Sequence, residues 1–148
     1  MKRFIGLIAF VVCISSLLCG CNLFANEKST KDTAAEHLQL DLNNTTVLEE
    51  WDTHGGFHGD GEAFIKLSCP DGFEESLGSE WKPLPLEGEA YQYFYEWGGV
   101  FEHPGTNERC IPEVKNGYWY FKSPGALNWD FALYDCEENI LYFYEFDA

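Results

Sequence analysis

The chain has 148 residues and a formal net charge of −16 at pH 7, because 25 Asp and Glu residues outnumber nine Lys and Arg residues. A surface this acidic repels phosphate groups, so the composition argues against nucleic-acid binding, which depends on neutralising phosphates with Lys and Arg. The hydrophobic fraction of 45% nevertheless supports a folded domain with its own core.

The N-terminus has the pattern of a secretory signal. Lys2 and Arg3 form a short positive region, and residues 4–18 follow as an uncharged apolar run. The run ends in the letters LLCGC, which resemble the lipobox of bacterial lipoproteins: an apolar residue at minus three, a small residue at minus one, and an obligatory cysteine, here Cys21.

The resemblance implies a signal peptide over residues 1–20, cleavage before Cys21, and diacylglycerol on the Cys21 thiol. A plain transmembrane anchor is the alternative, because residues 4–26 carry no charge and about 20 apolar residues span a bilayer. Both interpretations place the rest of the chain on the extracytoplasmic face of the cell membrane, since the positive end stays in the cytoplasm. Without the signal, seven basic residues remain against 25 acidic ones, for a formal charge of −18.

Residues 21–44 mix small and charged residues and show no clear apolar period. This composition predicts a lipid-anchored flexible tether with a root-mean-square reach of roughly 25 Å. The globular domain is then expected over residues 45–148.

A β-hairpin is predicted around the letters DTHGGFHGDG at residues 52–61. The flanking residues 45–51 and 62–68 have strand composition, and Asp60-Gly61 is typical of a two-residue type I′ turn. That turn sets a register in which His58 faces Ala63 and His54 faces Leu67, so both histidines lie on one apolar face.

The same stretch is the main candidate for a chemical site, because imidazole and carboxylate groups bind metals. In an extended strand His54 and His58 would start roughly 13 Å apart, since each residue advances about 3.3 Å. They converge only if the adjacent glycines form a bulge. The stretch therefore indicates either a metal or catalytic site that includes Asp52 and Asp60, or a glycine-rich turn with hydrogen-bonded histidines, which we prefer.

No other motif predicts a cofactor. HExxH, CxxC, a GxSxG elbow and phosphate-binding glycine loops are absent, His37 falls in the predicted tether, and His103 falls in a loop. Three cysteines remain after the signal and the lipidated residue are set aside. We expect a disulfide between Cys69 and Cys110, because each lies in a loop near a proline, whereas Cys136 lies in a tight turn.

Residues 71–81 can hold a helical turn that ends at Gly78. Residues 87–97 predict a helix, with a strand as the alternative, and Tyr91, Phe94 and Tyr95 would share one helix face.

Three aromatic-rich runs at residues 117–122, 128–135 and 140–146 predict a three-stranded antiparallel meander. Trp129, Phe131 and Leu133 alternate onto one face. Neither face of the last run is cleanly polar, so we expect both faces to be covered. The predicted fold is a small α+β domain with a mainly antiparallel sheet, an N-terminal hairpin, one or two short helices and the C-terminal meander.

The letters THGGFHGDG and LYDCEENILYFYEFD resemble small envelope proteins of Gram-positive bacteria. We expect a non-enzymatic, lipid-anchored surface domain that binds a ligand or protein partner, such as a basic protein or a wall component, through exposed aromatic residues and acidic patches. The alternatives are a metal-dependent hydrolase centred on Asp52, His54, His58 and Asp60, an inhibitor or immunity-type lipoprotein that caps a basic enzyme or toxin, and purely structural wall association.

Overall fold

The computed structural model describes residues 28–55, 60–96, 101–125 and 127–148. The predicted signal, the lipobox and Cys21 lie outside these ranges. No helix within them combines the length and the apolar character needed to cross a membrane. The helices are α1 (Thr30–Leu38), a 3₁₀ helix (Phe73–Ser76), and α2 (Gly88–Tyr91), which continues as a π-helix (Gln92–Glu96). The strands are β1 (Thr46–Asp52), β2 (Gly61–Ser68), β3 (Lys82–Pro83), β4 (Gly117–Gly125), β5 (Asn128–Asp135) and β6 (Ile140–Asp147).

The six strands form one antiparallel sheet in the order β1-β2-β6-β5-β4-β3. The meander predicted from the aromatic-rich runs is confirmed as β4, β5 and β6, and β6 also pairs with β2 along its whole length. The α+β class with a mainly antiparallel sheet is confirmed.

Both faces of the sheet are covered by other parts of the chain. Alternate residues of a strand point to opposite faces, so Leu141 and Phe143 lie on one face of β6 while Tyr142 and Tyr144 lie on the other. We name these the α1 face and the α2 face after the helices that pack on them. The α1-face core contains Ala34, Leu38, Leu40, Leu42, Ile65, Leu67, Tyr120, Tyr134, Leu141 and Phe143. The α2-face core contains Phe64, Ala90, Tyr93, Phe94, Phe101, Ile111, Trp129, Phe131, Leu133 and Tyr144.

Helix α1 overturns the prediction of a flexible tether across the described residues 28–44. The Ser29 side chain accepts a hydrogen bond from the backbone N–H of Asp32 and caps the helix. Ala34 and Leu38, one turn apart, are buried against the sheet, and Leu40 and Leu42 extend this contact beyond the helix. Because the apolar positions are few, the periodic signal in the sequence is weak. Their burial nevertheless packs the segment against the core.

The hairpin of β1 and β2 forms, but the predicted turn and register are wrong. Asp52 pairs with Ala63, so the strands are joined by a longer connection that begins at Thr53. The Thr53 backbone N–H donates to the Glu62 carbonyl at 2.8 Å, and the Glu62 N–H donates to Thr53 Oγ1 at 2.8 Å. Gly61 is the first residue of β2 rather than a turn residue. A Cβ atom there would lie 2.7 Å from His54 Cα, which explains why glycine is required.

Helical structure in the segment predicted at residues 87–97 is confirmed over residues 88–96, but the three residues expected to share one helix face, Tyr91, Phe94 and Tyr95, differ in burial. Tyr93 and Phe94 are buried, whereas Tyr91 and Tyr95 are exposed. The π-helical turn adds a residue relative to an α-helical turn and rotates the following side chains, so the spacing of an α-helix does not identify the buried face. The helical turn expected before Gly78 is present as the 3₁₀ helix.

Leu38→Ala is expected to reduce the free energy of unfolding by roughly 2–5 kcal/mol, because the Leu38 side chain is buried and its removal leaves a cavity. Leu127→Ala is the matched control, since Leu127 is 59% exposed, and should change stability by less than about 0.5 kcal/mol. Urea unfolding followed by tryptophan fluorescence measures both. Equal, small effects would contradict the packing of α1 on the sheet.

Candidate functional site

Two residues of the predicted His/Asp stretch, His54 and Asp52, are in contact in the structure. His54 Nδ1 lies 2.7 Å from Asp52 Oδ1, and the His54 backbone N–H donates to the same oxygen at 2.7 Å. His54 Nε2 lies 3.8 Å from Asp147 Oδ2, a partner that the sequence analysis did not identify. Asp60 is exposed, and His58 lies outside the described residues. Metal binding at this stretch therefore stays a prediction.

A second group of the same chemistry lies under helix α1. His37 Nδ1 is 3.0 Å from Asp130 Oδ1 and 3.6 Å from Glu145 Oε1. The three candidate ligand atoms all lie within 4.8 Å of one another. We call His37, Asp130 and Glu145 the histidine–carboxylate cluster. It is the one such group of three within the described residues, and the sequence analysis missed it.

The sheet register positions the two carboxylates of the cluster. Asp130 of β5 and Glu145 of β6 are directly paired, so their side chains stand side by side on the α1 face. Lys122 of β4 is paired with Asp130 on its other side. Alternation within the predicted meander could have placed each carboxylate on this face. It could not supply His37, which was assigned to the tether.

Helix α1 brings the imidazole to the carboxylates. The Tyr120 hydroxyl donates to the His37 carbonyl at 3.3 Å, and the imidazole meets the Phe143 ring edge-on with centroids 6.1 Å apart. The His37 side chain is about one-third exposed, while only 11% of the Asp130 side chain and 12% of the Glu145 side chain are exposed. Solvent thus reaches the cluster mainly from the imidazole side.

Burial dominates the electrostatics of the two carboxylates. Loss of hydration raises the pKa of Asp130, and the contact with His37 opposes this only in part. Burial also raises the pKa of Glu145, and the neighbouring charge of Asp130 adds to the increase. The charge of Asp147 also raises the pKa of Glu145, and His54 lowers it. The predicted stretch and the cluster are therefore electrostatically coupled. Such an arrangement can hold a proton or a cation.

The predicted disulfide between Cys69 and Cys110 is wrong. Cys69 packs in the α1-face core and Cys110 in the α2-face core, so the sheet separates them, and both thiols are free. Burial raises the pKa of each thiol to about 12, so neither is a reactive thiolate at neutral pH. Cys136 is also free and half-buried.

Strand β1 forms one edge of the sheet. Among the described residues it pairs with β2 alone, and Val47 and Leu48 on it are exposed. Three of its seven residues are acidic, namely Glu49, Glu50 and Asp52, and none is basic. The opposite edge, β3, is only two residues long and contains a proline.

A shallow aromatic groove lies on the α2 side of the molecule. The exposed rings of Tyr91 and Tyr95 have centroids 5.0 Å apart. They line a groove of about 320 Å³ together with Leu84, Pro85, Leu86, Val114 and Lys115.

Comparisons of the chain with protein-family models, with curated proteins and with solved structures find no match.

Glu145→Gln is expected to raise the free energy of unfolding at pH 7 by about 1 kcal/mol in the absence of metal, because it removes a buried charge beside Asp130. With its pKa raised above the ordinary 4.5, the folded parent binds this proton more tightly than the unfolded chain. The parent therefore loses stability as the pH rises from about 4.5 through the raised pKa, and the variant lacks this loss.

Urea unfolding between pH 4 and 8 with a chelator present measures the difference, with exposed Glu50→Gln as the control. A Glu145→Gln variant less stable than the parent at pH 7 would show that attraction to His37 outweighs the cost of burying the charge.

Proposed function

We propose that this chain is a non-enzymatic, lipid-anchored domain on the extracytoplasmic face of the cell membrane, and that it binds a basic protein partner at the β1 edge. The observation that carries the binding proposal is the coincidence, on one strand, of an exposed sheet edge and acidic side chains. The lipobox resemblance at Cys21 supports the anchor.

The backbone of β1 favours an extended partner. An edge strand presents unpaired N–H and C=O groups, and an extended peptide can add to it as a further strand. The two edges of this sheet differ, because β3 is short and ends in Pro83, whereas β1 has seven residues with Val47 and Leu48 exposed. Addition at β1 therefore offers both backbone pairing and apolar contact.

The acidic residues of β1 favour a basic partner over a second copy of the chain. A second copy of the chain would bring Glu49, Glu50 and Asp52 close to the same acidic residues, and like charges on neighbouring strands are destabilising. A segment rich in Lys or Arg gains from the same arrangement. The formal charge of −18 after signal removal would also accelerate association with a basic partner.

The position of α1 limits the distance between this surface and the lipid. If Cys21 is lipidated, seven residue steps connect it to Lys28, where the described domain begins. A chain of that length extends at most about 25 Å. The domain would therefore act close to the membrane surface, on partners that reach it there.

The anchor is tested by expressing the full chain in a bacterial host supplied with a radiolabelled fatty acid. The parent and a Cys69→Ser control are expected to carry the label and to lose residues 1–20, whereas Cys21→Ser should carry no label and keep the higher mass. A plain transmembrane anchor would leave all three unlabelled, which would contradict the lipoprotein proposal.

The binding proposal is tested with the full chain in detergent and a fluorescent peptide of alternating Lys and Val. Anisotropy should show binding that weakens roughly tenfold between 50 and 300 mM salt. Glu50→Lys should abolish it, while Glu137→Lys, an equal charge change on the exposed turn between β5 and β6, should have a smaller effect.

Two further probes separate strand addition from simple charge attraction. A peptide with N-methyl groups on alternate residues cannot pair with β1 and should lose binding, and Tyr91→Ala in the aromatic groove should leave binding unchanged. Equal losses in Glu50→Lys and Glu137→Lys, or undiminished binding of the methylated peptide, would overturn the assignment to β1.

A further inference from the structure

Beyond the proposed partner surface at β1, a separate binding function lies under helix α1. We propose that His37, Asp130 and Glu145 form a binding site for a divalent transition-metal cation, for which Zn²⁺ is the reference ion. This site does not depend on the β1 edge, so the two proposals fail or succeed independently.

The spacing of the three atoms suits a shared ion. Nitrogen and oxygen ligands lie about 2.0–2.2 Å from Zn²⁺, so two ligands of a tetrahedral ion are about 3.4 Å apart. The separations of His37 Nδ1 from Asp130 Oδ1 and Glu145 Oε1 are 3.0 and 3.6 Å. All three ligand atoms lie within 4.8 Å of one another, so side-chain adjustment would place them around one ion.

The charge balance of the cluster also favours a cation. Asp130 and Glu145 are paired across neighbouring strands and are almost entirely buried, where two adjacent carboxylates repel each other strongly. A structural ion pair that secures α1 would need only one of them. One imidazole cannot neutralise both. The exposed Lys122 is paired with Asp130 across β4 and β5, but within the described residues it forms no ion pair with either carboxylate, and the Glu145 carboxylate accepts no hydrogen bond there. A divalent cation would compensate both charges at once.

A histidine nitrogen near the end of β6 that carries Glu145 also lacks a hydrogen-bond partner in the described part of the chain. His54 Nε2 is buried and has no hydrogen-bond partner among the described residues. It lies 3.8 Å from Asp147 Oδ2, and Asp147 is two residues beyond Glu145, on the same side of β6. Buried polar atoms without partners are rare in proteins and commonly face a water molecule or ion. A water molecule between His54 Nε2 and Asp147 would satisfy this atom.

The ligand types indicate which metals fit. One imidazole with two carboxylates suits Zn²⁺ and other transition ions, whereas Mg²⁺ prefers oxygen ligands only. None of the described thiols contributes. Cys69 follows the end of β2 that pairs with Ile140, at the opposite end of β6 from Glu145. Cys110 packs in the α2-face core, and Cys136 follows the end of β5 opposite to Asp130. Three protein ligands leave a fourth position open to solvent or a small anion.

The test is a titration of the full chain, purified in detergent and stripped with a chelator, with Zn²⁺ in competition against a chromogenic chelator. We expect one ion per chain, a Tm that rises with Zn²⁺, and no such response to Mg²⁺. Asp130→Asn and Glu145→Gln should each weaken binding by roughly 100-fold. Since Glu145→Gln removes a buried charge, it should remain folded and keep the test informative.

Two controls locate the ion. His103→Gln removes a histidine that contacts Glu49 and Phe64, away from the cluster, and should bind Zn²⁺ like the parent. Cobalt(II) should give the visible absorption of a four-coordinate site in the parent and not in His37→Gln. Absence of stoichiometric Zn²⁺ binding, or binding that survives in both carboxylate variants, would overturn the proposal.

Discussion

Burial of both faces of the central strands is the constraint on which the rest of this structure depends. β2, β5 and β6 carry apolar or aromatic residues on both of their faces, so neither face can be left to solvent. The α2 face is covered by the helix over residues 88–96 and the segment around Phe101. The α1 face needs the segment before β1, which is why residues that look like a linker fold onto the sheet.

The same constraint creates the histidine–carboxylate cluster. Where the apolar rows of the α1 face end, the strands continue into Asp130 and Glu145, still beneath the edge of α1. Their carboxylates therefore lose water without leaving the sheet, and the helix that excludes the water also delivers His37. Helix docking and the occupancy of the cluster are thus physically coupled: a cation bound there would attach α1 to two strands, in addition to the apolar contacts of Ala34 and Leu38.

Acidic residues serve two different purposes in this molecule. Along β1, Glu50 and Asp52 are exposed and Glu49 is partly exposed, so solvent screens their charges, and they disfavour pairing with another acidic edge at little cost in stability. In the cluster they are buried, where charge is costly and a specific partner is required. The net charge of the chain does not distinguish these exposed carboxylates from the buried ones.

Much of the sheet could be predicted from the sequence, because alternation along a strand is local and the runs of β4, β5 and β6 are rich in aromatic residues. The class of fold, the meander, the covering of both faces and the helix near residue 90 follow from such local patterns. The lipobox resemblance is equally local, and it alone suggests an anchor.

Tertiary structure decided what depends on contacts distant in the chain. Ala34 and Leu38 give too weak a period to predict α1, whose helix is stabilised by the sheet it covers. The register of β1 with β2 follows from the pairing of Thr53 with Glu62 and from the close approach of Gly61 to His54, not from the Asp60-Gly61 pair. The separation of Cys69 from Cys110 and the meeting of His37 with Asp130, 93 residues away, likewise arise only when the sheet is assembled. Local sequence determines which strands and helices can form, whereas the shared burial of their faces determines which side chains meet.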